Sequence, residues 1–226
     1  MKAHLLSLTA LAVSAVIAVP AAAQVNGIGV TEPAIAIAGS KARAAAYQQI
    51  GQTYQAQLTQ LQQLQTQRET LMRQFDTDND GQLSDAEQQA AQANTTAVQQ
   101  LQSLEQTINQ TNAPIQLARI YAIEQIGTKY GQALQQVITA NNIQVILTPQ
   151  SIVYANDALD VTAKIVAQLD TLVPTVSTTV PAGWQPARQS VQLTQEVQQV
   201  LIQAAQAQAQ QQAAAGQQPA PAVQGR

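Results

Sequence analysis

Residues 76–87 read D-T-D-N-D-G-Q-L-S-D-A-E, and the turn they specify decides how the two longest helical stretches of the chain meet. Carboxylates stand at the first, third and fifth positions, glycine at the sixth and glutamate at the twelfth, the spacing of a calcium-binding EF-hand loop. Calcium takes about six to eight oxygen ligands. Twelve residues can supply them only by folding back sharply, which Gly81 permits because it takes positive φ without a Cβ clash. The spacing assigns Asp76, Asp78 and Asp80 as side-chain ligands, Gln82 through its carbonyl, Ser84 directly or through water, and Glu87 as the bidentate ligand that closes the shell. Leu83 holds the apolar position that paired loops use to dock on each other, but no second loop of this kind occurs in the chain. The plainer reading is an acidic, solvated turn. The glycine and the terminal glutamate, which a mere run of acids would not need, favour calcium.

Outward from the loop, both flanks are helical. Residues 40–75 contain no proline and one glycine, and Tyr47, Ile50, Tyr54, Leu61, Leu64, Leu71 and Phe75 recur at threes and fours, with Gln57 and Arg68 filling two gaps in the register. This is a coiled-coil-like seam, polar on its other faces. A second helix is predicted from about Asp85 to Ala140, with Ala97, Leu101, Leu104, Ile108, Ile115, Ala118 and Ala122 as its seam. Two such helices joined by one tight loop should pack antiparallel. Pro114 lacks an amide donor and crowds the preceding turn, so a bend is expected there. Beyond it the apolar face widens to include Ile120, Ile123, Ile126, Tyr130, Leu134 and Val137, which indicates burial in a body rather than on an arm.

The remaining segments are short. Val25–Val30 is a strand candidate, Glu32-Pro33 opens a brief helix over 34–38, and Ser40 caps the next. Ile143–Leu147 (IQVIL) and Ser151–Tyr154 (SIVY) read as two further strands. A helix capped by Asn156 or Asp157 should then run to Leu172, where Pro174 ends it. Residues 175–189 read as a linker carrying the single tryptophan, Trp184, for which local packing is the commoner explanation. Val191–Ala209 has the spacing of a short amphipathic helix, and the Gln/Ala-rich end has the composition of a disordered tail.

Met1–Ala23 has a basic start at Lys2, an apolar run over 5–19, and Ala21-Ala22-Ala23, the pattern of a secretory signal peptide cleaved after Ala23. Its apolar run is too short for a comfortable membrane span, so no stable span is expected. The only histidine, His4, lies within it and cysteine is absent. The exported chain would then hold no imidazole or thiol for a nucleophilic triad or a usual zinc site, and enzymatic chemistry is not expected. With Lys2 removed, nine basic residues face thirteen acidic ones, which leaves no basic patch for nucleic acid. Charged residues make up 10% of the chain and aromatics 3%, too little aromatic bulk for a large globular core but suited to helices that pack narrow seams. The fold class expected is α+β, mostly helical, with a long antiparallel hairpin on a small β-rich body. The divisions are 1–23 signal peptide, 24–40 with 115–174 as the body, and 41–114 as the arm carrying loop 76–87. Residues 175–226 form the linker, helix and tail.

This order of elements, with I-Q-V-I-L-T-P-Q-S-I-V-Y-A-N-D-A-L-D-V-T over 143–162, resembles the Skp or OmpH-like family of periplasmic chaperones across about Val25–Leu172; Tyr154–Thr162 is the most specific part. The resemblance implies a homotrimer joined through the small body, with the hairpins as tentacles around a cavity. It implies a periplasmic holdase that uses neither ATP nor cofactor and whose partners are unfolded outer-membrane proteins. The chain departs from the family in its few basic arm residues, among them Lys41, Arg43, Arg68, Arg73, Arg119 and Lys129, and in the calcium loop at the expected tentacle tip. A competing reading is a calcium-binding envelope structural or adaptor protein that engages a folded partner.

Overall fold

The computed structural model describes residues 27–216. The signal-peptide reading, the first two residues of the Val25–Val30 strand candidate and the tail beyond 216 lie outside the described residues. The elements in chain order are β1 (Ile28–Val30), α1 (Pro33–Gly39), α2 (Lys41–Thr53), α3 (Gln55–Arg73), α4 (Asp85–Ala93), α5 (Thr95–Asn141), β2 (Val145–Leu147), α6 (Thr162–Leu172) and α7 (Arg188–Gly216). The architecture is α+β and mostly helical.

The two strands form one parallel sheet, with Ile28 opposite Val145 and Val30 opposite Leu147, so the whole arm is the crossover between them. Gly29 leaves room for the side chains packed over the pair: a Cβ there would lie 2.9 Å from Cδ1 of Ile146 and 3.2 Å from Cδ1 of Ile143. The end of β1 is tied down twice more. The Thr31 amide donates to the Leu147 carbonyl, and the Val161 amide to the Val30 carbonyl, each at 3.1 Å.

Pro33 starts α1 at a position whose amide has no partner in any helix. The helix is short and almost entirely apolar, so it can be stable only inside a core. Ala34, Ala36 and Ile37 have no exposed surface, and α1 is packed by α5, α6 and α7. Ser40 joins α1 to α2: its hydroxyl donates to the Ile37 carbonyl (2.9 Å) and accepts from the Arg43 amide (3.3 Å). Around α1 the body core gathers Ile123, Ile126, Ala133 and Val137 from α5, Val161, Ile165 and Leu169 at α6, and Val197 from α7.

The arm packs as an antiparallel pair. Ile50 and Leu61 share a buried cluster with Ile115 and Ala118, while further out Arg68 pairs with Glu105 (3.2 Å), so numbers rise on one helix as they fall on the other. The seam narrows outward as the periodicity predicts. Leu61, Leu64 and Leu71 are buried, while Arg68, at a gap in the register, is exposed and finds its ion pair instead.

Several details differ from expectation. The first arm helix breaks at Tyr54, whose amide bonds the Ile50 carbonyl before α3 restarts. The second arm helix is two helices, because Asn94 ends α4 and its side chain caps α5 by accepting from the Ala97 amide (3.1 Å). The expected run to about Ala140 holds, by contrast: helix α5 continues through Pro114 to Asn141. Residues 151–154 are not a strand: Pro149–Ser151 is a 3-10 turn, and Val153 and Tyr154 lie almost wholly exposed, with no strand in the described chain for them to pair with. Asn156 caps only a 3-10 turn, Asp157–Leu159, and α6 starts later, at Thr162.

Residues 176–216 are more ordered than their composition suggests. The Gln125 side-chain amide clasps Ser177, its Nε2 donating to the Ser177 carbonyl (2.9 Å) and its Oε1 accepting from the Ser177 amide (3.0 Å), and Trp184 packs edge-on to Tyr121 with centroids 5.0 Å apart and donates to Glu124 (3.2 Å). Helix α7 extends to Gly216, past the expected Ala209. Its first half completes the body core through Ser190, Thr194 and Val197, and its surface from Ile202 to Ala214 is exposed.

Candidate functional site

The loop between α3 and α4 forms the arm tip. Each of Asp76, Asp78 and Asp80 brings a carboxylate oxygen within 4.8 Å of the others. Two left-handed residues make the fold-back: Gly81 (φ 81°) and Asn79 (φ 59°), a residue type that tolerates this region. The chain then donates amides inward, Gly81 to Asp76 Oδ2 (3.0 Å), Asp80 to Asp78 Oδ1 (3.2 Å) and Gln82 to Asp80 Oδ1 (2.7 Å). Asp78 and Asp80 are exposed. Asp76 is buried (8% exposed), and its Oδ1 has no hydrogen-bond partner. A buried carboxylate oxygen with no donor is a costly arrangement, and a hard divalent cation is a chemical species that would relieve it while screening the repulsion among three like charges.

Glu87 is placed differently from its predicted role. Its side chain does not join the trio. Oε1 accepts from the amide and the hydroxyl of Thr77 (both 2.6 Å), and Oε2 accepts from the amide (2.9 Å) and hydroxyl (2.8 Å) of Ser84. Ser84 in turn caps α4, so the pair forms a capping box. The hydrogen bonds, that of the Thr77 hydroxyl foremost, pull the Glu87 carboxyl down to about 2. Of the six residues assigned from the sequence, three converge, Gln82 and Ser84 line the turn, and Glu87 is bonded elsewhere. Thr77 is the residue that spacing did not single out. Its signal was a hydroxyl at a loop position that carries no ligand.

Beside the loop lies a largely apolar cavity of about 200 Å³, walled by Leu71, Met72 and Phe75 at the end of α3, Leu83 of the loop, and Ala97, Val98 and Leu101 of α5. Leu83, with no second loop to dock on, packs into its own arm.

At the other end of the molecule, the Tyr154–Thr162 run laces α6 to β1. Asn156 accepts from the Ala158 amide (2.9 Å), Asp160 accepts from the Thr162 amide (2.8 Å) and bridges Val30, and the Thr31 and Thr162 hydroxyls meet at 3.1 Å. The family described as "Outer membrane protein (OmpH-like)" matches residues 27–169, a span holding both strands, the whole arm and most of α6. The chain belongs to the OmpH-like family. No curated protein matches it. Among solved structures it is similar to a proposed outer membrane chaperone (OmpH-like) from Caulobacter crescentus CB15, at 23% identity and a TM-score of 0.41, over 68% of this chain and 89% of that one. In this OmpH-like chain α7 lies wholly beyond the matched span. No helix among the described residues is long and apolar enough to cross a membrane.

Proposed function

We propose that this OmpH-like protein is a periplasmic, non-enzymatic holdase that keeps unfolded outer-membrane proteins from aggregating, and that it works as a homotrimer whose arms surround the client. The observation that carries the reading is the family match, which takes in arm and body together. The architecture supports it. A long hairpin with a narrow seam and Ala/Gln-rich outer faces offers many small apolar contacts, which suits weak, distributed holding of a chain without fixed structure. A two-stranded sheet is marginal alone, and its surroundings leave Val145 (46% exposed), Val153 (105%) and Tyr154 (87%) uncovered. These residues would be buried where bodies associate.

The same reading gives the arm tip a calcium ion held by Asp76, Asp78 and Asp80, supported by their convergence and the unpartnered Asp76 oxygen. Calcium would stiffen the tip; it supplies no catalytic step. The test is light scattering of a denatured outer-membrane β-barrel protein diluted into buffer. An equimolar trimer of the mature protein suppresses aggregation without ATP. Unchanged scattering, with the client left in the pellet, overturns the holdase reading.

A further inference from the structure

The acidic trio alone would be an ordinary solvated cluster, but Asp76 sets it apart: the residue is more than nine-tenths buried and one of its oxygens has no donor. The twelfth residue, which a calcium loop of this spacing needs as its bidentate ligand, is meanwhile fully engaged elsewhere. Glu87 accepts four hydrogen bonds, two on each oxygen, from Thr77 and Ser84. Both oxygens must give up these donors before they can face an ion. Ser84 would remain near the ion as a loop member. Thr77 is different: the spacing gives it no ligand role, and its hydroxyl adds a second bond, beside that of its amide, that keeps Glu87 Oε1 in the cap.

We propose that Thr77 is a brake on calcium affinity at the arm tip: its hydroxyl holds Glu87 in the α4 cap, and calcium binding requires Glu87 to leave that cap and complete the shell begun by Asp76, Asp78 and Asp80. The inference rests on the calcium reading above and goes beyond it in naming which residue sets the affinity and which ligand moves. Calcium occupancy and the α4 capping box therefore exclude each other, so ion binding reshapes the start of α4 next to the apolar cavity lined by Phe75 and Leu83.

The Thr77 hydroxyl's hydrogen bond to the charged Glu87 opposes binding, so removing it should tighten calcium by roughly tenfold. The experiment is calorimetric titration of CaCl2 into chelator-treated mature protein, with MgCl2 in parallel. Four proteins are compared: wild type, Thr77→Val, Thr77→Ser and Glu87→Gln, each checked for an unchanged far-UV spectrum. Thr77→Val preserves shape without the hydroxyl, and Thr77→Ala carries the same comparison if valine is not accommodated. The expected result is a Kd roughly tenfold lower for Thr77→Val, near the wild-type value for Thr77→Ser, and much higher for Glu87→Gln. If wild type binds calcium and Thr77→Val binds equally or more weakly, the brake is overturned while the calcium site stands. If Glu87→Gln binds as tightly as wild type, Glu87 is not recruited and the inference fails. If wild type takes up no calcium, the calcium reading fails and this inference with it.

Discussion

Gly29 is the residue on which the base of the molecule turns. A Cβ there meets the side-chain ends of Ile146, Ile143 and Val161 at 2.9, 3.2 and 3.3 Å, so the Gly29→Ala variant forces those side chains to shift. Overpacking of this kind costs about 1–3 kcal/mol, and denaturant melts of the two proteins should show a lower midpoint with unchanged slope. Tyr47 offers a pH signature. Burial raises its hydroxyl above the ordinary range despite the opposing pull of Arg119 and Arg43, whose guanidiniums lie 5.5 and 5.6 Å from its ring centroid. A raised folded value means that the proton is held more tightly in the folded state. Its contribution is present below the ordinary tyrosine value and is lost as pH rises through the folded one. Alkaline absorbance titration should therefore contain a late-ionising tyrosine that Tyr47→Phe removes. At this scale the sequence was legible where chemistry repeats a fixed spacing, as in Asp76, Asp78, Asp80 and Gly81. It assigned Glu87 to the ion, but a carboxylate that serves an ion and one that serves a helix cap carry the same letter, and the donors of Thr77 and Ser84 hold Glu87 in the cap.

Elements were read well where periodicity is long and poorly where partners decide. The heptad spacing of Leu61, Leu64 and Leu71 located the arm, since a narrow seam is a property of one helix facing another. The breaks at Tyr54 and Asn94 left no strong mark, since both residues are tolerated inside helices; a side-chain cap marks the second, where Asn94 accepts from the Ala97 amide. Ser151–Tyr154 has β-branched composition but no neighbouring strand, and a strand without a partner is not a strand. The order around Ser177 and Trp184 was hidden because it depends on Gln125, Tyr121 and Glu124, more than fifty residues earlier. Pro114 lies inside α5 and denies the Gln110 carbonyl its amide. A proline in a helix interior costs about 3 kcal/mol, so Pro114→Ala should raise the melting temperature and slow amide exchange over the preceding turn. An unchanged melt would mean that tertiary packing has already absorbed the defect. In the core, Ile37 on α1 is wholly buried among three helices, and Ile37→Ala should lose about 2–5 kcal/mol as measured by chemical denaturation.

For the whole molecule, the expected assembly has three chains meeting over Val145, Val153 and Tyr154. Native mass spectrometry of the mature protein should give three copies, and a Val153→Asp, Tyr154→Ser double variant should shift the mass toward one copy while leaving the arm helical. A single-copy mass for wild type would remove the basis for a client cavity. Helix α7 is where this chain departs from its family's matched span, and its exposed half has no counterpart within residues 27–169.

The parallel pairing of Ile28 with Val145 has a kinetic corollary. The two strands of the sheet are separated by the whole arm, and closing so long a span of flexible chain carries an entropic toll of about 4 kcal/mol. A hairpin that has already zipped from its tip inward brings those ends together and removes most of that toll. With that order of events, the platform on which subunits would meet would form last, and a chain whose tentacle had stalled would present no surface with which to recruit its sisters.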